Sequence, residues 1–183
     1  MDEYQRELQT AIAAVRKAAQ VTQAVQQQIT DDVLEKQDRS PVTIADYASQ
    51  AVICHALKAA FPDDPIVGEE DAAELRGGEN AGFVDRILEE LAAIDVATTA
   101  DEVCSWIDHG NGKAGPRFWT LDPIDGTKGF LRGQQYAISL ALIIDGNLTV
   151  AAVGCPNLPL DPDDESSPGS LLFAVRGAGA FVT

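Results

Sequence analysis

The chain has 183 residues, of which 45% are hydrophobic and 23% charged, and its formal net charge is −16. That length supports one sizeable domain with its own core, and the composition is ordinary for a globular protein. The charge argues against a nucleic-acid polymer as partner, because gripping a phosphate backbone needs a basic face and no basic run here exceeds Arg16-Lys17.

The N-terminus, M-D-E-Y-Q-R-E, is acidic and polar, unlike a signal or transit peptide. No segment approaches the roughly 18 apolar residues of a membrane span. The expectation is a soluble, cytoplasmic protein with no membrane partner. Residues 2 to about 29 read as one long helix, with Leu8, Ile12, Val15, Val25 and Ile29 at three- and four-residue steps. A polar connection, T-D-D-V-L-E-K-Q-D-R-S-P, follows. A second helix is predicted to open at Thr43, with Thr43 as N-cap and Asp46 at the N3 position of a capping box. F-P-D-D-P ends it.

P-I-V-G-E-E-D reads as a short strand running into an acidic loop, and E-L-R-G-G-E-N-A-G as exposed loop. Val84 to Ile94 has helical spacing. D-H-G-N-G-K-A-G-P-R reads as a mobile glycine-rich surface loop. From Phe118 the pattern changes to strands: F-W-T-L-D, then Tyr136 to Ile144, a D-G-N hairpin turn and the return strand Leu148 to Gly154. After a polar, proline-rich loop, Ser170 to Val175 and Gly179 to Val182 read as another hairpin. Helices first and hairpin-linked strands afterwards predict an α+β fold, N-terminal helices packed on a mainly antiparallel sheet. The chain stops at F-V-T, in or just after a strand, so residues 1–183 are expected to be the N-terminal portion of something longer.

Cys54, Cys104 and Cys155 are widely spaced and odd in number, which argues for reduced thiols over a disulfide framework. His55 and His109 stand alone, so a histidine metal site or triad is not expected. The chemistry-bearing groups are acidic: Asp46, the Glu69-Glu70-Asp71 run, and Asp122 with Asp125 in W-T-L-D-P-I-D-G-T-K-G-F. Each has a structural role open to it, as cap, solvated loop or turn. Together they suit a hard cation such as Mg²⁺, which takes oxygen ligands: a few carboxylates, a carbonyl such as that of Ile124, and substrate phosphate. Two such ions can clamp an in-line phosphoryl displacement. Gly126-Thr127-Lys128 is predicted to open a short helix through Leu131, where backbone N–H groups favour a phosphate. The Thr127 hydroxyl can hold a water and pass its proton toward Asp46. The Asp-x-Asp-Gly-Thr motif of haloacid-dehalogenase-like phosphatases has one residue between its acids. Here there are two, Pro123 and Ile124, so that reading is set aside.

L-D-P-I-D-G-T resembles the signature of the inositol monophosphatase superfamily of metal-dependent, lithium-sensitive phosphatases. V-G-E-E-D and S-P-V-T-I-A-D-Y-A-S-Q resemble two further blocks of it, in matching order and spacing. The extension K-G-F-L-R-G-Q-Q-Y-A-I-S-L-A-L-I, followed by G-C-P-N-L, resembles the 3′(2′),5′-bisphosphate nucleotidase branch. Inositol monophosphatases usually carry Thr-Asn-Phe where this chain has Lys128-Gly129-Phe130. The resemblance implies the first half of an αβαβα layered fold and two or three Mg²⁺ ions. It implies Glu69, Asp122 and the Ile124 carbonyl around the first ion, and Asp122 with Asp125 around the second. Asp46 and Thr127 would activate water, Gly126 and Thr127 would bind the phosphoryl group through their N–H groups, and Glu70 would support the ligands from behind. The implied substrate is a small phosphorylated nucleotide, adenosine 3′,5′-bisphosphate or its sulfated relative, giving AMP from the former. The family's C-terminal domain, which supplies another metal-binding Asp and the base-binding groups, is not expected within residues 1–183. Other readings are an inositol-phosphate 1-phosphatase and a non-catalytic metal-binding fragment.

Overall fold

A computed structural model of the chain describes residues 2–29, 40–77, 81–161, 163 and 169–183. The first long apolar stripe forms α1 (Gln5–Gln27), entered through a short 3-10 turn at Asp2–Tyr4. Leu8, Ala11, Ile12, Val15, Ala18, Val21 and Val25 are its buried face, the i, i+3, i+4 stripe of a core helix. Most of the polar connection lies outside the described residues.

The second helix, α2 (Ser40–Ala60), corrects the sequence reading of its start. It begins before Thr43, so Thr43 is no N-cap and Asp46 belongs to the helix body. Pro41 does not prevent this: the first N–H groups of a helix have no internal partner, so a proline there forfeits no bond. From Ala48 to Cys54 every residue is buried, including Ser49 and Gln50. This helix is therefore enclosed on nearly all sides, with α1 packed along it. Fully burying a side chain such as Ile53 or Leu57 contributes about 1.5–3 kcal/mol.

After β1 (Ile66–Val67) comes a 3-10 turn at Glu74–Arg76, where exposed loop is expected from the sequence. Leu75 is buried and pins that turn to the core. The following helix, α3 (Ala81–Ala93), starts earlier than its apolar spacing suggests. A further helix, α4 (Ala100–Asp108), escapes the apolar-period reading altogether. Its start is written in T-A-D-E: Thr99 caps the Glu102 N–H, and Glu102 accepts from the Thr99 N–H in return.

The glycine-rich segment beyond α4 is not a free loop. Gly68 N–H donates to the Gly110 carbonyl and Gly112 N–H to the Ile66 carbonyl, both at 2.8 Å, so the segment is laced to β1. It leads into β2 (Arg117–Asp125), then α5 (Thr127–Leu131), β3 (Ala137–Ile144), β4 (Asn147–Cys155), β5 (Ser170–Val175) and β6 (Gly179–Val182). The β3–β4 turn has positive φ at both Asp145 (49°) and Gly146 (74°), as a two-residue type I′ hairpin requires.

These six strands form one sheet in sequence order. β1 and β2 are parallel, joined by the long crossover through α3 and α4, and every other neighbouring pair is antiparallel. The expected α+β arrangement of helices on a mainly antiparallel sheet is what forms. α1 and α2 cover one face, over Trp119, Leu121, Ile138, Leu140, Leu142, Val150 and Ala152. The opposite face carries apolar residues left open, among them Leu148, Leu172 and Val182. No helix among the described residues is long and apolar enough to cross a membrane.

Candidate metal and phosphate site

The parallel pairing of β1 with β2 decides where the acids meet. Ile66 lies opposite Trp119 and Val67 opposite Thr120. Continuing that register two residues brings Glu69 level with Asp122. Both segments leave the C-terminal ends of parallel strands, where α/β sheets hold their ligands.

Beyond Asp122 the strand departs from regular pairing. Asp122 faces Ser139 and Asp125 faces Ala137, so β2 advances three residues while β3 advances two. D-P-I-D is thus a bulged strand end, where a turn is expected from its composition. Pro123 lacks an N–H and cannot complete the ladder, which is why the irregularity falls there. Its carbonyl accepts instead from the Ser49 hydroxyl at 3.1 Å. The actual turn is at Gly126, whose φ of 97° favours glycine strongly, and α5 starts at Thr127 as predicted. α5 packs against α2, the helix that carries Asp46.

Electrostatics show that the predicted acids share one neighbourhood. Asp46 is pushed up to about 8, chiefly by burial, then by the negative charges of Glu70, Glu69 and Asp122. Asp122 is also raised, first by burial, then by the charges of Glu69 and Asp125; the Ile124 N–H, donating to its carboxylate, partly offsets this. Asp122 Oδ1 is buried and has no hydrogen-bond partner. A buried carboxylate oxygen without a donor is costly, and carboxylates that destabilise one another call for a cation. The donor set is all oxygen, which suits a hard ion.

Glu69, Asp125, Gly126 and Thr127 are exposed, so the cluster is open to solvent there. Among the described residues, no three Asp, Glu, His or Cys side chains are gathered closely enough to hold a metal ion as they stand. The charges and the orphaned oxygen fit a cation, and the side chains would have to draw in around it.

The histidines and cysteines stay outside this neighbourhood. His55 packs against the Trp106 ring at 4.0 Å between centroids. All three cysteines are free thiols, and burial raises Cys54 to about 12.

One residue that the sequence reading passed over is Gln50. Fully buried, it bonds to the Glu69-Glu70 backbone from within α2. Its signal in the sequence was a polar pair, Ser49-Gln50, inside an otherwise apolar helical run. A buried polar group is informative where a buried leucine is not.

Comparison with known proteins bears on the family and the fold. Residues 3–183 match the inositol monophosphatase family. The chain is 45% identical over 199 residues to 3′(2′),5′-bisphosphate nucleotidase 2 of Candida albicans, covering 97% of this chain and 55% of the relative. It is 47% identical over 197 residues to the 3′(2′),5′-bisphosphate nucleotidase of Schizosaccharomyces pombe, with the same coverage. Its fold matches an inositol monophosphatase of Thermotoga maritima with a TM-score of 0.58 at 20% identity, over 100% of this chain and 52% of that one. The chain thus spans about half the length of the curated relatives it matches, and it belongs to the inositol monophosphatase family.

Proposed function

We propose that this chain is the N-terminal, metal-binding part of a Mg²⁺-dependent phosphatase that removes the 3′-phosphate of adenosine 3′,5′-bisphosphate. The observation that carries the reading is Asp122 Oδ1, a buried carboxylate oxygen without a donor at the centre of the acid cluster. The similarity to relatives named as bisphosphate nucleotidases, at 45% and 47% identity, supports the nucleotide substrate. So does K-G-F at Lys128-Gly129-Phe130.

In this reading Glu69, Asp122, the Ile124 carbonyl and Asp125 hold the ions. When bound, the ions supply charge that offsets the phosphoryl and carboxylate charges and acidify the attacking water. Gly126 and Thr127 orient the phosphoryl oxygens through their N–H groups. Thr127 Oγ1 holds the water in line with the phosphorus and donates its own proton to the Asp46 carboxylate as the water proton is taken up. Asp46 must be ionised for this, which in the metal-free protein its neighbours oppose. Glu70 supports the cluster from behind. A C-terminal domain would add a ligand, bind the base and cover the open sheet face at Leu148, Leu172 and Val182.

The test is Mg²⁺-dependent phosphate release from adenosine 3′,5′-bisphosphate and inositol 1-phosphate side by side, on this chain and on an extended form. Preference for the nucleotide supports the reading. Preference for inositol phosphate moves the protein to the other branch. Absence of turnover in both forms, with Mg²⁺ still bound, favours a non-catalytic metal-binding role.

A further inference from the structure

Among the described residues the Gln50 amide bonds only to backbone, and it is fully engaged. Oε1 accepts from the backbone N–H of Glu69 at 3.1 Å and of Glu70 at 2.9 Å. Nε2 donates to the carbonyl of Glu70 at 2.6 Å and of Ile107 at 3.0 Å. One buried side chain therefore satisfies four backbone groups from two other segments. The fit is close: a Cβ on Gly68 would lie 2.5 Å from Gln50 Oε1. Beside it, the buried Ser49 hydroxyl holds the Pro123 carbonyl. Asp46 lies one turn earlier on the same helix, on the side that Gln50 shares at the i, i+4 spacing.

Each of the three acid-bearing segments is thus referenced to two adjacent turns of α2. Asp46 belongs to them, Glu69-Glu70 hangs from Gln50, and the Asp122–Asp125 bulge hangs from Ser49. An apolar residue at position 50 could fill the space but would leave those four backbone groups without this partner. Groups behind metal ligands commonly set affinity by fixing the ligands' orientation.

We propose that Gln50, assisted by Ser49, is the positioning residue that sets the spacing of the carboxylates around the cation. This rests on the metal-site reading above. The test combines two measurements on this chain: calorimetric titration with Mg²⁺ alone, and NMR hydrogen exchange of the Glu69 and Glu70 amides in metal-free protein. Gln50→Met is expected to weaken Mg²⁺ binding about tenfold and to expose both amides to fast exchange, with helix content retained. Ser49→Ala is expected to weaken Mg²⁺ binding while leaving those two amides protected, which a general loosening of the fold would not do. Gly68→Ala, which pushes on the same amide from the other side, replaces Gln50→Met if that variant does not fold. Amides that stay protected in Gln50→Met, or Mg²⁺ affinity within twofold of the parent despite lost protection, overturn the proposal. A parent chain that binds no Mg²⁺ overturns the metal-site reading itself, and the proposal with it.

Discussion

Replacing Asp46 by Asn is expected to stabilise the metal-free chain, although it removes a residue assigned to the reaction. In the folded chain the Asp46 carboxyl titrates at about 8, against an ordinary 3.8. The folded state therefore holds this proton more tightly than the unfolded state does. The stabilisation is fully present below the unfolded value and declines as pH rises toward 8, by about 1.4 kcal/mol for each pH unit. Over the whole interval the loss is on the order of 5 kcal/mol. Part of that shift comes from the charges of Glu70, Glu69 and Asp122, so the loss that belongs to Asp46 alone is smaller. Asn is close in shape to the protonated acid and does not ionise, so Asp46→Asn avoids the decline. Urea denaturation in the presence of a chelator at pH 4 and pH 8.5 measures it. The variant and parent are expected to match at pH 4, and the variant to be more stable at pH 8.5. A variant less stable than the parent at pH 8.5, or displaced equally at both pH values, refutes the reasoning.

Other substitutions test the frame that carries the site. Tyr136→Phe removes a buried hydroxyl that donates to Thr22 at 2.8 Å, and urea denaturation is expected to show a loss of about 1–2 kcal/mol. Gly129→Ala places a Cβ against the Gln135 carbonyl oxygen, a clash that α5 can relieve only by moving. The expected cost in the same assay is about 1–3 kcal/mol. Thr99→Ala opens the capping box of α4 and is expected to lower stability by about 1 kcal/mol, measured by thermal melting at fixed pH.

What the sequence revealed depended on whether the information was local. The Asp145-Gly146 turn, the two hairpins and α1 follow from turn chemistry and apolar period, and they form where expected. D-P-I-D reads locally as a turn, yet pairing with β3 and the bond from Ser49 draw it into a bulged strand. Thr43 reads locally as a cap, but α2 continues N-terminal of it. α4 does carry Val103, Cys104 and Ile107 at helical spacing, but it is only nine residues long, and T-A-D-E is the plainest sign of its start. The acids were visible as residue types. That β1 lies parallel to β2 and levels Glu69 with Asp122 was not, because it depends on a crossover of some fifty residues. The grip of Gln50 on the acidic loop is a long-range contact of the same kind.

The central claim is that the acid cluster around Asp122 is a divalent-cation site. Calorimetric titration of this 183-residue chain with Mg²⁺, beside the Asp122→Asn variant, addresses it most directly. The account predicts saturable Mg²⁺ binding by the parent, with release of protons as the raised Asp46 carboxyl ionises, and loss of both signals in the variant. Equal Mg²⁺ binding by parent and variant, or binding by the parent with no proton release, contradicts it.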